Sequence, residues 1–353
     1  MTILVRPDLD ALPLYQQLPT TARVQLSNNE TAFPPLPRVA AALAEGLEHI
    51  NRYPPVSPHA VATHLAEHLR VPAGSVAVGA GSATLLLQLM QAVVHGPSSI
   101  VYPWRSFEAY PILVRVAGAE PRPVPLTGDL THDLDAMLAA VTPTTRMIII
   151  CNPNNPTGTA LHREALAKFL AATPDHVVVV LDEAYHEFVT DPDIPDGLEL
   201  VREAAGRGNL VSLRTFSKAY GLAGLRIGYC AGPVNLIQAV TKVGVPFSVS
   251  TLAETAALIS LDSADELAER CRLVRTERDR VGAGLHALGH EFVPSQGNFL
   301  WLPLADRAAA FASHCMADGV MVRPFAGEGV RVTIGNPADN DAFLAVARTF
   351  ATG

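Results

Sequence analysis

Lys218 and Arg226 stand eight residues apart in Thr215-Phe-Ser-Lys-Ala-Tyr-Gly-Leu-Ala-Gly-Leu-Arg-Ile-Gly228. Two hydroxyls, Thr215 and Ser217, come just before the lysine, and mostly apolar or small residues fill the interval. A lysine amine can add to a carbonyl, and an arginine with hydroxyl donors can seat a phosphate. Pyridoxal-phosphate chemistry asks a protein for that combination. Two solvated cations following a strand are the alternative reading.

Three further motifs carry functional groups. Asn152-Pro-Asn154-Asn155-Pro-Thr-Gly158 follows the apolar run Met147–Cys151, and asparagines between prolines make a turn able to aim an amide into a cleft. Asp182, in Leu181-Asp-Glu-Ala-Tyr185, ends the run that starts at Val177. A carboxylate there, beside an apolar core, calls for a cation, and a protonated pyridine nitrogen is one. Capping of the next helix is the rival role. Tyr185 lies near enough in sequence to reach the ring's phenolic oxygen. Val76-Ala-Val-Gly79-Ala-Gly81-Ser82-Ala83-Thr84 reads as a strand passing through glycines into a helix, whose first N–H groups can cradle a phosphate. It lacks the last Gly or Ala of a dinucleotide fingerprint, and no acid for a ribose follows about 20 residues on. His64-Leu-Ala-Glu67-His68 has HxxEH spacing, but no third ligand stands out downstream and the segment reads as a solvated helix face. No metal is expected, and no GxSxG is present.

The elements that must position these groups are legible as alternating strands and helices. Strands are expected at Ser99–Tyr102, Met147–Cys151, Val177–Leu181, Leu210–Leu213 and Ile227–Ala231. Continuous apolar runs such as Val177-Val-Val-Val-Leu fit strands buried on both faces of a parallel sheet. The expected class is therefore α/β with a mostly parallel central sheet, and motifs at strand ends lie where such sheets bind ligands. Residues 1–35 read as an arm, 36–252 as a large domain and 253–353 as a smaller α+β domain led by one long helix from Ala253 to about Leu288. Within that smaller domain, Phe299-Leu-Trp-Leu, Val320-Met-Val-Arg323 and Val330-Arg331-Val-Thr-Ile alternate as strands. Arg331 reads either as exposed or as a guanidinium over the cleft, able to hold a carboxylate bidentately.

The composition supports a well-buried globular chain: 353 residues, 49% hydrophobic and 17% charged. A formal charge of −8 disfavours a nucleic-acid partner. Four cysteines without a CxxC pair, a charged and proline-broken N-terminus and the lack of an 18-residue apolar run lead to a cytoplasmic expectation with no membrane partner.

NPNNPTG, LDEAY and TFSKAYGLAGLRIGY together resemble the fold-type I aminotransferases, and within them the histidinol-phosphate aminotransferase family, from about residue 10 to the C-terminus. Weaker matches are Ser27-Asn-Asn29-Glu30-Thr, Asn51-Arg-Tyr53-Pro and Val330-Arg331-Val-Thr-Ile-Gly. The resemblance implies pyridoxal 5'-phosphate as cofactor, with Lys218 as its Schiff-base lysine and proton shuttle. It implies Asp182 at the pyridinium nitrogen and Asn155 and Tyr185 at the phenolic oxygen. Thr215, Ser217 and Arg226, with backbone at Gly81, Ser82 and Ala83, are implied at the phosphate. Tyr53 is similar to a tyrosine that reaches the neighbouring subunit's phosphate, which implies a homodimer. Phe107, in Trp104-Arg-Ser-Phe-Glu-Ala-Tyr110, fits the position of a ring-stacking aromatic, although Arg105 and Ser106 replace the usual proline and threonine. Tyr15, Asn29, Arg323 and Arg331 are the implied substrate contacts. The WRSFEAY and NNETAFPPLP segments are more similar to the actinobacterial aromatic branch than to the histidine-pathway enzymes. The expected reaction is ping-pong transamination of phenylalanine or tyrosine with 2-oxoglutarate. Histidinol phosphate as donor, or decarboxylation on the same fold, are the alternatives.

Overall fold

The computed structural model describes residues 6–10, 12, 22–203 and 208–350. Eleven strands among these residues form two sheets: β1 (Val24–Leu26), β2 (Val76–Gly79), β3 (Ser99–Trp104), β4 (Glu120–Pro125), β5 (Thr145–Cys151), β6 (Val178–Asp182), β7 (Leu210–Thr215), β8 (Gly228–Ala231), β9 (Phe299–Leu302), β10 (Val320–Phe325) and β11 (Gly329–Thr333). The larger sheet has the order β2-β8-β7-β6-β5-β3-β4. Its strands run in one direction except β8, which is antiparallel to both β2 and β7. All five strands expected from the apolar runs are present, with ends shifted by one to two residues.

Side-chain alternation explains why the central strands are apolar throughout. Met147, Ile149 and Cys151 enter one core layer with Val180, Leu213 and the helix Ser82–Val93. Ile148 and Ile150 enter the opposite layer with Val179, Leu181 and Phe169. Each strand is thus covered on both sides, and each fully buried aliphatic side chain contributes about 1.5–3 kcal/mol. The edge strand β4 carries prolines at 121, 123 and 125, a pattern that hides its strand character in sequence. Its intervening N–H groups face β3, shown at the two ends by Glu120 N–H to Ser98 O at 2.8 Å and Leu126 N–H to Trp104 O at 3.1 Å. The prolines therefore fall on the unpaired side, where no ladder donor is needed.

The smaller sheet has the order β1-β10-β11-β9. β1, from the segment expected as an arm, lies parallel to β10 with Val24 beside Val320. The single long helix expected from Ala253 is two helices, Thr251–Leu261 and Ala264–Ala287. Short polar residues at the join compete with the helical ladder: Ser263 Oγ donates to Ile259 O at 2.8 Å, and Ser263 N–H turns back to Ser260 O at 3.2 Å. The first helix packs its alanines on Val39, Val61 and Leu65, whereas the second supplies Cys271, Val274, Val281 and Leu285 to the core of the smaller sheet.

Candidate active site

The ends of five neighbouring strands meet along one edge of the larger sheet. Gly79 and Thr215 both lie opposite Gly228, Leu213 lies beside Asp182, and Asp182 lies beside Cys151. The loops leaving β5 and β7 and the end of β6 therefore put Asn155, Lys218 and Asp182 around one cavity of about 390 Å³. Ser82, Phe107, Tyr185, Arg226, Arg323 and Arg331 also line it.

One end of the cavity is built for an anion. The helix Ser82–Val93 starts from Gly81 at φ 92°, and its first internal acceptor, Gly81 O, is taken by Leu85 N–H at 3.2 Å. The amides of Ser82, Ala83 and Thr84 precede that bond and carry the positive end of the helix dipole. Arg226, itself left-handed at φ 57°, donates from Nη1 to Ser217 Oγ at 3.3 Å and to Ala223 O at 2.9 Å. A Cβ on Gly81 would stand 2.5 Å from Arg226 Nη2, so only glycine lets the guanidinium approach the helix start. Thr215 Oγ1 accepts from Ser217 N–H at 3.1 Å and holds the turn into Lys218.

Lys218 Nζ donates to Asn28 O at 2.8 Å and stands 6.0 Å from the centre of the Tyr185 ring. Burial, then the nearby Arg331 cation, pushes its ammonium down to about 7. A substantial fraction of the amine is thus neutral and nucleophilic near neutral pH. Asp182 is buried; its Oδ2 accepts from Tyr110 O–H at 2.7 Å while Oδ1 has no partner. Burial raises this carboxyl to about 6, and the Tyr110 hydrogen bond opposes the rise. An unmatched oxygen of this kind fits a cationic N–H from a bound molecule.

The smaller sheet and the segment after β1 close the other side. Asn29 is fully buried; its Nδ2 donates to Tyr185 Oη at 3.0 Å and its N–H to Thr333 Oγ1 at 2.9 Å. Asn29 does not line the cavity, and its contacts instead orient the Tyr185 hydroxyl. Arg331, 7% exposed, donates to Asn155 Oδ1 at 2.6 Å and to Ser27 O. The exposed alternative for this arginine is therefore excluded. Phe107 lies edge-on to Tyr110 with ring centres 5.5 Å apart.

Two expected residues are not among those that line the described cavity. Tyr53 is 85% exposed and does not line the cavity, and Tyr15 falls outside the described residues. His64 of the HxxEH segment pairs with Asp262 at 3.1 Å, and no group of three metal-ligating side chains occurs among the described residues. Sequence reasoning missed Tyr110, Asn28 and Glu108. Tyr110 closes the turn that begins at Phe107, its N–H donating to Phe107 O at 3.0 Å, and its place three residues after Phe107 is the one signal the sequence offers. Asn28 acts through its carbonyl, which no side-chain pattern encodes.

The model of aminotransferase class I and II matches residues 21–346. The chain belongs to the class I and II aminotransferases. Among its relatives in this family, the aromatic amino acid aminotransferase of Thermobifida fusca is 50% identical over 98% of this chain and 97% of its own. The protein of the same name from Nocardia farcinica is 48% identical over the same shares. A solved histidinol-phosphate aminotransferase from Sinorhizobium meliloti, in complex with pyridoxal-5'-phosphate, superposes with a TM-score of 0.90 at 28% identity, covering 98% of each chain. These likenesses extend through both sheets of this aminotransferase.

Proposed function

We propose that this aminotransferase transfers the amino group of aromatic amino acids, phenylalanine or tyrosine, to 2-oxoglutarate with pyridoxal 5'-phosphate as cofactor. The observation that carries the chemistry is the pairing of Lys218, an amine brought to about 7, with the unmatched Oδ1 of buried Asp182 in one cavity. Near-full-length identity of 48–50% to relatives named aromatic amino acid aminotransferases supports the substrate class.

The residues present fit the cofactor. Arg226, Ser217, Thr215 and the Ser82 and Ala83 amides would hold its phosphate, Asp182 its ring nitrogen, Asn155 and Tyr185 its phenolic oxygen, and Phe107 its ring face. When bound, it supplies an electron sink for the carbanion at the substrate Cα. Lys218 Nζ serves as the base for the Cα proton, and its depressed basicity matches that task near neutral pH. Tyr110 fixes one oxygen of Asp182, so the other stays aimed at its cation. Asn29 donates to the Tyr185 oxygen and leaves the hydroxyl proton free to donate onward. Arg331 is the seat for the substrate carboxylate, which would take over the hydrogen bonds now given to Asn155 and Ser27.

The enzyme works as a homodimer in this reading, with Tyr53 completing the partner's phosphate site. Support comes from an exposed apolar patch: the Tyr53 and Phe247 rings lie 5.1 Å apart, Phe247 N–H bonds Val56 O, and Ile50 and Val245 are also exposed. We place it in the cytoplasm, where four buried free thiols are stable. No described helix is long and apolar enough to cross a membrane. Single-turnover absorbance of the cofactor-loaded enzyme tests the substrate. Fast conversion by phenylalanine and little by L-histidinol phosphate is expected, and the reverse would assign the histidinol-phosphate reaction.

A further inference from the structure

Arg323 and Arg331 stand directly opposite each other across the β10–β11 ladder, and both reach the cavity. They differ in what they hold. Arg331 donates to neutral oxygens, whereas Arg323 donates from Nε and Nη2 to Glu108 Oε2 at 3.2 and 2.9 Å. Glu108 lines the same cavity, in the loop that also carries Phe107. The Arg323 side chain is 11% exposed and that of Glu108 30%, so water screens their attraction only in part.

A second pair runs alongside. Arg105 donates to Glu328, its guanidinium 4.2 Å from the centre of the Trp104 ring. The 105–108 loop and the β10–β11 hairpin thus exchange one arginine and one glutamate each. Only Glu108 and Arg323 of these four line the cavity.

We propose that Glu108 is a specificity-determining residue that competes, as a built-in carboxylate, with anionic substrate groups for Arg323. This rests on reading the cavity as the amino-acid site. A neutral aromatic side chain leaves the Glu108–Arg323 pair intact and meets a locally neutral wall. A distal carboxylate or phosphate gains the Nε–Nη2 edge of Arg323 only by displacing Glu108, and faces the repulsion of that carboxylate until it does. The pair therefore lowers affinity for anionic side chains without abolishing it, which lets a dicarboxylate be accepted while aromatic substrates remain favoured.

Dead-end ligands test this without turnover. Glutarate carries a distal carboxylate and 3-phenylpropionate a neutral ring, and the dissociation constant of each is measured calorimetrically on the cofactor-loaded enzyme. Glu108→Gln is expected to tighten glutarate about tenfold while changing 3-phenylpropionate less than about twofold. In Glu108→Gln/Arg323→Gln the gain disappears. Glu328→Gln, which breaks only the neighbouring pair, leaves glutarate binding as it was. An equal change for both ligands, a gain that survives in the double variant, or the same gain in Glu328→Gln would overturn the proposal and leave the pair as a strap between loop and hairpin. Failure of the parent enzyme to react with phenylalanine would refute the substrate reading instead, because the ratio of the two ligand affinities is read independently of the reaction.

Discussion

Replacing Asp182 by asparagine is expected to act in opposite directions on the cofactor-free and cofactor-loaded protein. Burial raises this carboxyl from 3.8 to about 6. At about 1.4 kcal/mol per pH unit, holding it ionised costs the folded chain about 3 kcal/mol at neutral pH. A raised carboxyl gives no such penalty below its unfolded value; the penalty grows as pH climbs through the window from 3.8 to about 6 and is complete above it. Asparagine behaves as the neutral carboxyl does, accepting from Tyr110 without the charge, and the net rise to about 6 already includes the Tyr110 bond to the ionised form. The net expectation is a cofactor-free protein more stable by about 3 kcal/mol at pH 7.5, with a melting temperature a few degrees higher. Near pH 4 the two proteins should melt alike. With pyridoxal phosphate the sign inverts, because the variant cannot offer an anion to the ring nitrogen, and cofactor affinity should fall by roughly a hundredfold. Urea unfolding across pH 4–8 and a cofactor titration followed by absorbance measure both halves. Destabilisation of the cofactor-free variant at pH 7.5, or a gain that does not vary with pH, would refute the reasoning.

Gly81→Ala places a methyl group against Arg226 and strains φ, so cofactor affinity should drop by more than tenfold while the secondary structure seen by circular dichroism stays the same. Lys218→Ala should remove the borohydride-reducible link to the cofactor and at least a thousandfold of turnover. In the parent, kcat should decline as pH falls below about 7, where Nζ takes up its proton, and a flat profile down to pH 5 would exclude Lys218 as base. Tyr110→Phe removes the donor that opposes the rise at Asp182, so its carboxyl should move further up and turnover fall about tenfold with KM little changed. Sedimentation should give a dimer, and charge placed in its apolar patch by Phe247→Asp should dissociate it.

The site's floor was readable because its residues come from strand ends, where apolar runs stop and polar loops begin. Asp182 follows such a run directly, Asn155 comes four residues after another, and Lys218 and Arg226 follow the run ending in β7. Its roof was less readable. β1 is three residues long and sits in a proline-rich segment, so no periodicity marked the strand that brings Asn28 to the cavity and Asn29 to the Tyr185 hydroxyl. The assignment of Asn29 to substrate could not anticipate that Tyr185 and Thr333 would occupy it. β4 was invisible because its alternating prolines are tolerable only at an edge, which is a property of the sheet and not of the segment. The break at Asp262–Ser263 escaped notice since polar residues are common on long helices. Glu108 lies inside the WRSFEAY segment, yet its meaning depends on Arg323, 215 residues later.

The parallel pairing of Val24 with Val320 also sets a timetable for biosynthesis. At roughly 5–20 residues per second, about 15 to 60 s separate the emergence of those two residues from a ribosome. Throughout that interval the segment bearing Asn28 has no strand to dock on, and Lys218 is made before the carbonyl that later receives its ammonium is held in place. The reactive amine therefore acquires its final surroundings only once nearly the whole chain exists. Shortening the chain before β10 would remove the strand on which β1 docks as well as the last strands, so damage near one end is felt near the other.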